Sequence, residues 1–208
     1  MINYSQNDEQ DRILNQFYNF KGTFLDIGSN DGITLSNSYA LAQNGWKGVC
    51  VEASPKAWER LVKVHGWQSG NGIQLINVAV GSYDGDIELN ESGELLGKGD
   101  VALVSSTRQD EVERWASLNM PFEKVTVPVV TFKTLLEGML YNHFDFLTID
   151  IEGMEPEVVP QIDFTALGVR MAIIEWNGNN AELYDQFLLK SGLKLVHINA
   201  ENRLYVKN

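Results

Sequence analysis

The chain of 208 residues has a single cysteine, Cys50, so no intrachain disulfide can form. A buried core must hold the fold together, and a reducing compartment suits it. Positive charge is also scarce: 16 Lys and Arg stand against 28 Asp and Glu, a net charge of −12 at pH 7. Such a surface repels nucleic-acid phosphates and anionic lipid headgroups, so neither nucleic acid nor membrane is an expected partner. No apolar stretch reaches transmembrane length, and Met1–Gln6 carries no basic segment leading into an apolar run. The expectation is a cytoplasmic protein. There is no Gly-x-Gly-x-x-Gly, no Tyr-x-x-x-Lys and no Asn/Asp-Pro-Pro-aromatic motif. The three histidines, His65, His143 and His197, have no spacing that suggests a metal site. Repeats and low-complexity linkers are missing too, so residues 1–208 read as a single domain.

What the chain does have is a 44% hydrophobic composition, typical of a globular protein, and one strongly patterned stretch. Phe24, Leu25 and Ile27 make an apolar run suited to a parallel strand buried on both faces. It ends in Gly28-Ser29-Asn30-Asp31-Gly32, a turn in which glycine lets the backbone approach a ligand closely. Asn30 stands where a dinucleotide fingerprint has its second glycine, and Asp26 and Asp31 flank the turn with negative charge. Two carboxylates would repel a pyrophosphate but suit a cationic ligand with an amino group. The plain alternative is an acidic surface turn after a core strand.

Residues 1–20 carry Ile13, Leu14, Phe17 and Tyr18 at helical spacing and read as a helical cap. A helix is expected from Thr34 to Gly45, then a second buried strand over Gly48–Val51 ending in Glu52. Ser54 and Pro55 read as the cap and first residue of the next helix. Gln74–Val80 reads as a third strand, and residues 81–130 as a β-rich insertion with strands at Val101–Val104 and Val125–Val129. A helix capped by Thr131 leads to an apolar strand over Phe144–Asp150. Met171–Ile174 forms a fifth strand before Glu175, and a helix ended by Gly192 precedes a terminal hairpin. Alternating strands and helices closed by a hairpin predict an α/β fold, a mostly parallel sheet with an antiparallel edge. Glu52 lies at the end of the second strand, roughly twenty residues past the glycine turn. There a carboxylate can accept both ribose hydroxyls of an adenosine ligand; the alternative is a glutamate that helps start the Ser54 helix.

Two separated motifs, Leu25-Asp26-Ile27-Gly28-Ser29-Asn30-Asp31-Gly32 and Thr148-Ile149-Asp150-Ile151-Glu152-Gly153-Met154-Glu155, together resemble the FkbM-type methyltransferases. Val51-Glu52-Ala53-Ser54-Pro55, Asn77-Val78-Ala79-Val80-Gly81 and the insertion ending at Val130-Thr131 fit the same layout, so the resemblance spans residues 22–177. It implies a seven-stranded Rossmann-like fold with helices on both faces, S-adenosylmethionine as cofactor, and O-methylation of a sugar or related small-molecule hydroxyl. It also implies that Asp26, Gly28, Ser29, Asn30 and Asp31 line the methionine end of the cofactor. Glu52 would hold the ribose, with Ala53 and Ala79 beside the adenine. Ser105, with Ser106, would border the methionine part, plain turn chemistry being the alternative. Thr148 departs from the lysine that many members carry before the aspartate.

An alkyl hydroxyl needs a positioned base or a metal ion to become a nucleophile. Asp150 and Glu152, at the end of the Phe144–Ile149 strand, are the expected catalytic carboxylates, with Glu175 on the adjacent strand facing the same cleft. A divalent metal held by Asp150 and Glu152 is the alternative to a base. Glu155 is expected only to start the helix at Pro156. Trp176, next to Glu175, is a better candidate than Trp115 for stacking on a sugar ring. The expected partner is a small-molecule or glycan acceptor. A nicotinamide-dependent oxidoreductase and a non-catalytic S-adenosylmethionine-binding domain are the competing classes.

Overall fold

The computed structural model describes residues 2–66 and 72–207. The chain enters the middle of its main sheet with β1 (Thr23–Ile27), then moves outward through β2 (Lys47–Glu52) and β3 (Ile73–Asn77). It later returns to the other side of β1 with β7 (Phe146–Ile149) and β8 (Met171–Glu175), and closes with β9 (Leu193–Ile198) and β10 (Asn202–Lys207). The seven strands lie in the order β3-β2-β1-β7-β8-β10-β9. The first five run parallel, and β10 is antiparallel to both of its neighbours. Strand order therefore reverses between β1 and β7, where an open α/β sheet leaves a crevice at its carboxyl edge.

Burial on both faces explains the near-continuous apolar strands. Leu25, Ile27, Val49 and Val51 join one core with Leu147, Ile149 and Ile174. Phe24, Cys50, Phe146 and Ile173 join a second core on the opposite face with Trp46 and Leu61. The helices α1 (Glu9–Gln16), α3 (Pro55–His65) and α7 (Ala181–Lys190) cover these faces. At α3, Ser54 Oγ accepts the Ala57 N–H at 3.1 Å with Pro55 at the first helical position, as the sequence predicts. Among the described residues, no helix is long and apolar enough to cross a membrane.

Four expected elements differ. Gln74–Val80 is two strands in two sheets: β3 ends at Asn77, and β4 (Ala79–Gly81) joins β5 (Gly85–Ser92) and β6 (Phe122–Thr131) in a three-stranded sheet. The break falls where Val78 N–H and the Asn77 amide both donate to Glu52 O, at 3.1 and 2.7 Å. Each half buries its own side chains, so apolar spacing alone runs through the break. Val101–Val104 is a turn rather than a strand. Ala102 has φ 59°, Val101 O accepts Asn30 Nδ2, and Val104 N–H donates to Ser92 Oγ. The helix expected from Thr34 begins only at Tyr39, as α2 (Tyr39–Gln43). Asp31 takes the Ile33 and Thr34 N–H groups, Leu35 has φ 55°, and Ser36 Oγ takes the Ser38 and Tyr39 N–H groups. These side-chain turns compete with helical bonding. In the cap, α1 ends before Tyr18, which is 79% exposed.

Candidate active site

A cavity of about 440 Å³ opens at the β1–β7 crevice, lined by the tips of β1, β2, β7 and β8, the insertion and the amino-terminal segment. That size suits a cofactor-scale ligand.

At the β1 tip, Gly28 and Ser29 N–H groups both donate to Val51 O, at 2.9 and 3.0 Å, so the turn folds back over β2. Ser29 Oγ donates to Asp26 O at 2.9 Å. Asp26 is 5% exposed, and its carboxylate accepts Ser38 Oγ. Burial pushes its pKa up to about 6, against the pull of the Ser38 and Ser29 hydrogen bonds. Glu52 closes β2 with both oxygens engaged: Oε2 accepts Asn30 N–H and Oε1 accepts Ser54 N–H, each at 2.7 Å. Burial outweighs these bonds and raises its pKa to about 7. Each carboxylate oxygen has a second lone pair, so Glu52 can accept a further hydrogen-bond donor. Glu52 therefore lines the cavity and also starts the Ser54 segment.

Gly28 has a different reason from the one its motif suggests. Its φ is 91°, and a Cβ there would lie 1.7 Å from Asp150 O. The glycine is needed because the β7 tip crosses it, joined by Asp150 N–H to Ile27 O at 2.9 Å. Asp31 is another correction. It does not line the cavity, and its carboxylate accepts Ile33 N–H, Thr34 N–H and Thr34 Oγ1 within its own turn. Asn30, Ala53, Ala79 and Ser105 do line the cavity. Ser106 does not: its hydroxyl donates to Glu152 O at 2.7 Å and braces that turn.

The β7 and β8 tips bring acids together. Asp150, Glu152 and Glu175 all line the cavity. Burial pushes all three above the ordinary carboxylate range; the Glu175 charge adds to it at Asp150 and Glu152, and Glu155 adds to it at Glu175. Glu175 is 6% exposed; its Oε1 accepts Asn177 Nδ2 at 2.7 Å, while Oε2 has no partner. Glu152 has φ 51°, and its Oε2 also accepts no hydrogen bond. Glu155 does more than begin α6 (Glu155–Val158). It reaches back to accept Ile151 N–H at 2.6 Å and Gly153 N–H at 3.0 Å, which fixes the strained turn presenting Glu152. Oxygens of Asp150, Glu155 and Glu175 lie within 4.8 Å of one another. The tight carboxylate group therefore includes Glu155 and leaves out Glu152, unlike the pair expected for a metal.

Trp176 is turned away from the cavity, with Nε1 donating to Asn199 O at 3.0 Å and Arg203 stacked on its ring. Trp115 lines the cavity instead, its Nε1 without a partner. Sequence reading also missed Gln6, Asn37, Thr107, Arg114, Asn177 and Glu201 on the wall. None of these sits in a motif, although Asn37 follows the glycine turn. It donates to Thr148 Oγ1 at 3.2 Å and so ties the segment after the glycine turn to β7.

The family model for the methyltransferase FkbM domain matches residues 26–193. No curated protein matches the chain at a significant level. Among solved structures, the chain is similar to the methyltransferase FkbM of Methylobacillus flagellatus KT, with TM-score 0.55 and 12% identity over 89% of this chain and 43% of that one. It is also similar to monomeric WbdD, with TM-score 0.51 and 10% identity over 98% of this chain and 42% of that one. The chain thus spans less than half the length of either structure, and at these identities the likeness is one of fold. The family match removes the oxidoreductase reading. With its two motifs at the tips of β1 and β7, the chain belongs to the methyltransferase FkbM family.

Proposed function

We propose that the protein methylates a hydroxyl oxygen on a small, polyhydroxylated acceptor such as a sugar or the end of a glycan. The observation that carries this reading is the set of buried polar atoms without partners on the cavity wall: Asn37 Oδ1, Thr107 Oγ1, Trp115 Nε1, Glu152 Oε2 and Glu175 Oε2. Buried polar groups are costly unless paired, and most of these are acceptors, which hydroxyl donors would satisfy.

S-adenosylmethionine supplies a methyl carbon activated by its sulfonium. Asp26, Gly28, Ser29 and Asn30 would hold its methionine end, Glu52 its ribose, and Ala53 and Ala79 its adenine, with Ser105 bordering the methionine part. The remaining work falls to the acceptor side. Wall groups would orient the hydroxyl, and Asp150 would take the proton that it loses when the methyl carbon passes from the sulfonium sulfur to the oxygen. Burial and the adjacent Glu175 both raise the affinity of Asp150 for a proton, which strengthens it as a base. A divalent metal is the alternative route, since oxygens of Asp150, Glu155 and Glu175 lie within 4.8 Å of one another.

Native mass spectrometry of the purified protein should reveal bound S-adenosylmethionine or its demethylated product. Release of S-adenosylhomocysteine across a panel of sugars then finds the acceptor. Chelator sensitivity reversed by Mg²⁺ or Mn²⁺ would replace the base with a metal. Tighter binding of NAD than of S-adenosylmethionine would overturn the cofactor assignment. A protein that binds the cofactor and releases no product with any hydroxylated acceptor is a non-catalytic binding domain.

A further inference from the structure

The cavity is lopsided in charge. Asp26, Glu52, Asp150, Glu152, Glu175 and Glu201 line it, and among the described residues Arg114 is the only Lys, Arg or His on its wall. Arg114 does not correct the imbalance, since its guanidinium lies 2.9 Å from Glu111 and 3.8 Å from Glu152. The cofactor-side acid Glu52 is satisfied within the protein by two backbone N–H groups. On the acceptor side, Glu152 Oε2 and Glu175 Oε2 accept nothing, although Glu175 is 6% exposed. Glu152 is held in this position at a cost, with φ 51° maintained by Glu155 and Ser106.

These two oxygens discriminate between kinds of acceptor. A neutral sugar can donate hydroxyls to them but adds no countercharge to the single guanidinium of Arg114, 3.8 Å from Glu152. A phosphorylated or carboxylated sugar brings a further negative charge into a partly desolvated site, where like charges repel strongly. A protonated amine supplies both a countercharge and three donors. We infer that the acceptor carries a protonated amine beside the hydroxyl that is methylated, and that Glu152 and Glu175 bind this amine; an amino sugar or aminated cyclitol has this chemistry. The inference rests on the hydroxyl-methylation reading above and narrows its substrate class.

Calorimetry on wild-type protein saturated with S-adenosylhomocysteine tests it, with glucosamine, N-acetylglucosamine, glucose and glucose 6-phosphate as probes at pH 7. Glucosamine should bind at least about tenfold more tightly than glucose or N-acetylglucosamine, as hydrogen bonds to charged groups lead one to expect. Glucose 6-phosphate should bind most weakly. In Glu152→Gln and Glu175→Gln, whose folding is checked by their melting curves, the preference for glucosamine should shrink to within about threefold. Equal binding of glucose and glucosamine, a preference for the phosphate, no detectable glucosamine binding, or a preference unchanged in both variants would each overturn the inference. Failure to bind S-adenosylhomocysteine at all would instead remove the cofactor reading beneath it, a distinct result of the first titration.

Discussion

At the β1–β2 end of the cavity, Glu52 has both carboxylate oxygens engaged by backbone N–H groups, whereas at the β7–β8 end Glu152 and Glu175 each keep an oxygen without a donor. The first end is preorganised: two backbone N–H groups hold the carboxylate in place. The second end is incomplete by itself and is balanced by whatever binds there. A cofactor used at every turnover suits the first arrangement, and an acceptor that must be chosen suits the second.

The sharpest separation of the two ends should come from Asp150→Asn. Turnover should fall by about 10²–10⁴, the usual range for a lost general base, with cofactor affinity within a few-fold. Product release kinetics and calorimetry measure the two effects; a cofactor affinity that falls in step with turnover would merge the ends. Next in size, Gly28→Val must clear a backbone carbonyl 1.7 Å from its Cβ and adopt φ 91°. It should destabilise the fold by roughly 2–5 kcal/mol. An unchanged melting temperature would mean that the two strand tips do not cross as described.

Glu52→Ala should weaken S-adenosylmethionine by one to two decades, about 1.5–3 kcal/mol, without affecting methionine alone. An equal loss for both ligands would mark a general disturbance of the pocket. The pH dependence of stability should show what buried acids cost. Burial raises Asp26 from 3.8 to about 6, and Glu52 and Glu155 from 4.5 to about 7. Protons held more tightly by the folded state give stability that is full below the ordinary pKa and lost as pH rises through the folded one. The melting temperature of the ligand-free protein should therefore decline from about pH 4.5 to pH 7 by several degrees. Glu52→Gln should flatten part of that slope, and a melting temperature that rises over this window would contradict the burial assigned to these acids. The smallest effect is expected for Asp31→Ala, which loses turn hydrogen bonds to Ile33 and Thr34. It should lower stability by about 1 kcal/mol and leave cofactor affinity unchanged; weakened cofactor binding would return Asp31 to the site.

Much of this was legible in the chain. A strand buried on both faces leaves a continuous apolar run, and for that reason β1, β2, β7 and β8 could be placed before their partners were known. Glu52 was legible because its distance from the glycine turn reflects one strand–helix–strand unit. The misreadings share a cause. Val78 interrupts an apolar run with no change in period, and residues 101–104 satisfy their backbone through Asn30 and Ser92 rather than a neighbouring strand.

The sequence by itself determined the alternation of strands and helices, the acidic turn after β1, the carboxylate ending β2 and the pair of motifs that marks the family. Those features are local, set by side-chain period and by the conformational range of single residues. Only the tertiary structure decided that Gly28 makes room for the Asp150 backbone, and that Trp115 faces the cavity while Trp176 does not. A polar group's role depends on which partner reaches it. Here the partners come from far along the chain: Gly28 meets Asp150, and Asn37 meets Thr148. No local pattern encodes such a meeting, because it exists only once the strands have been brought side by side.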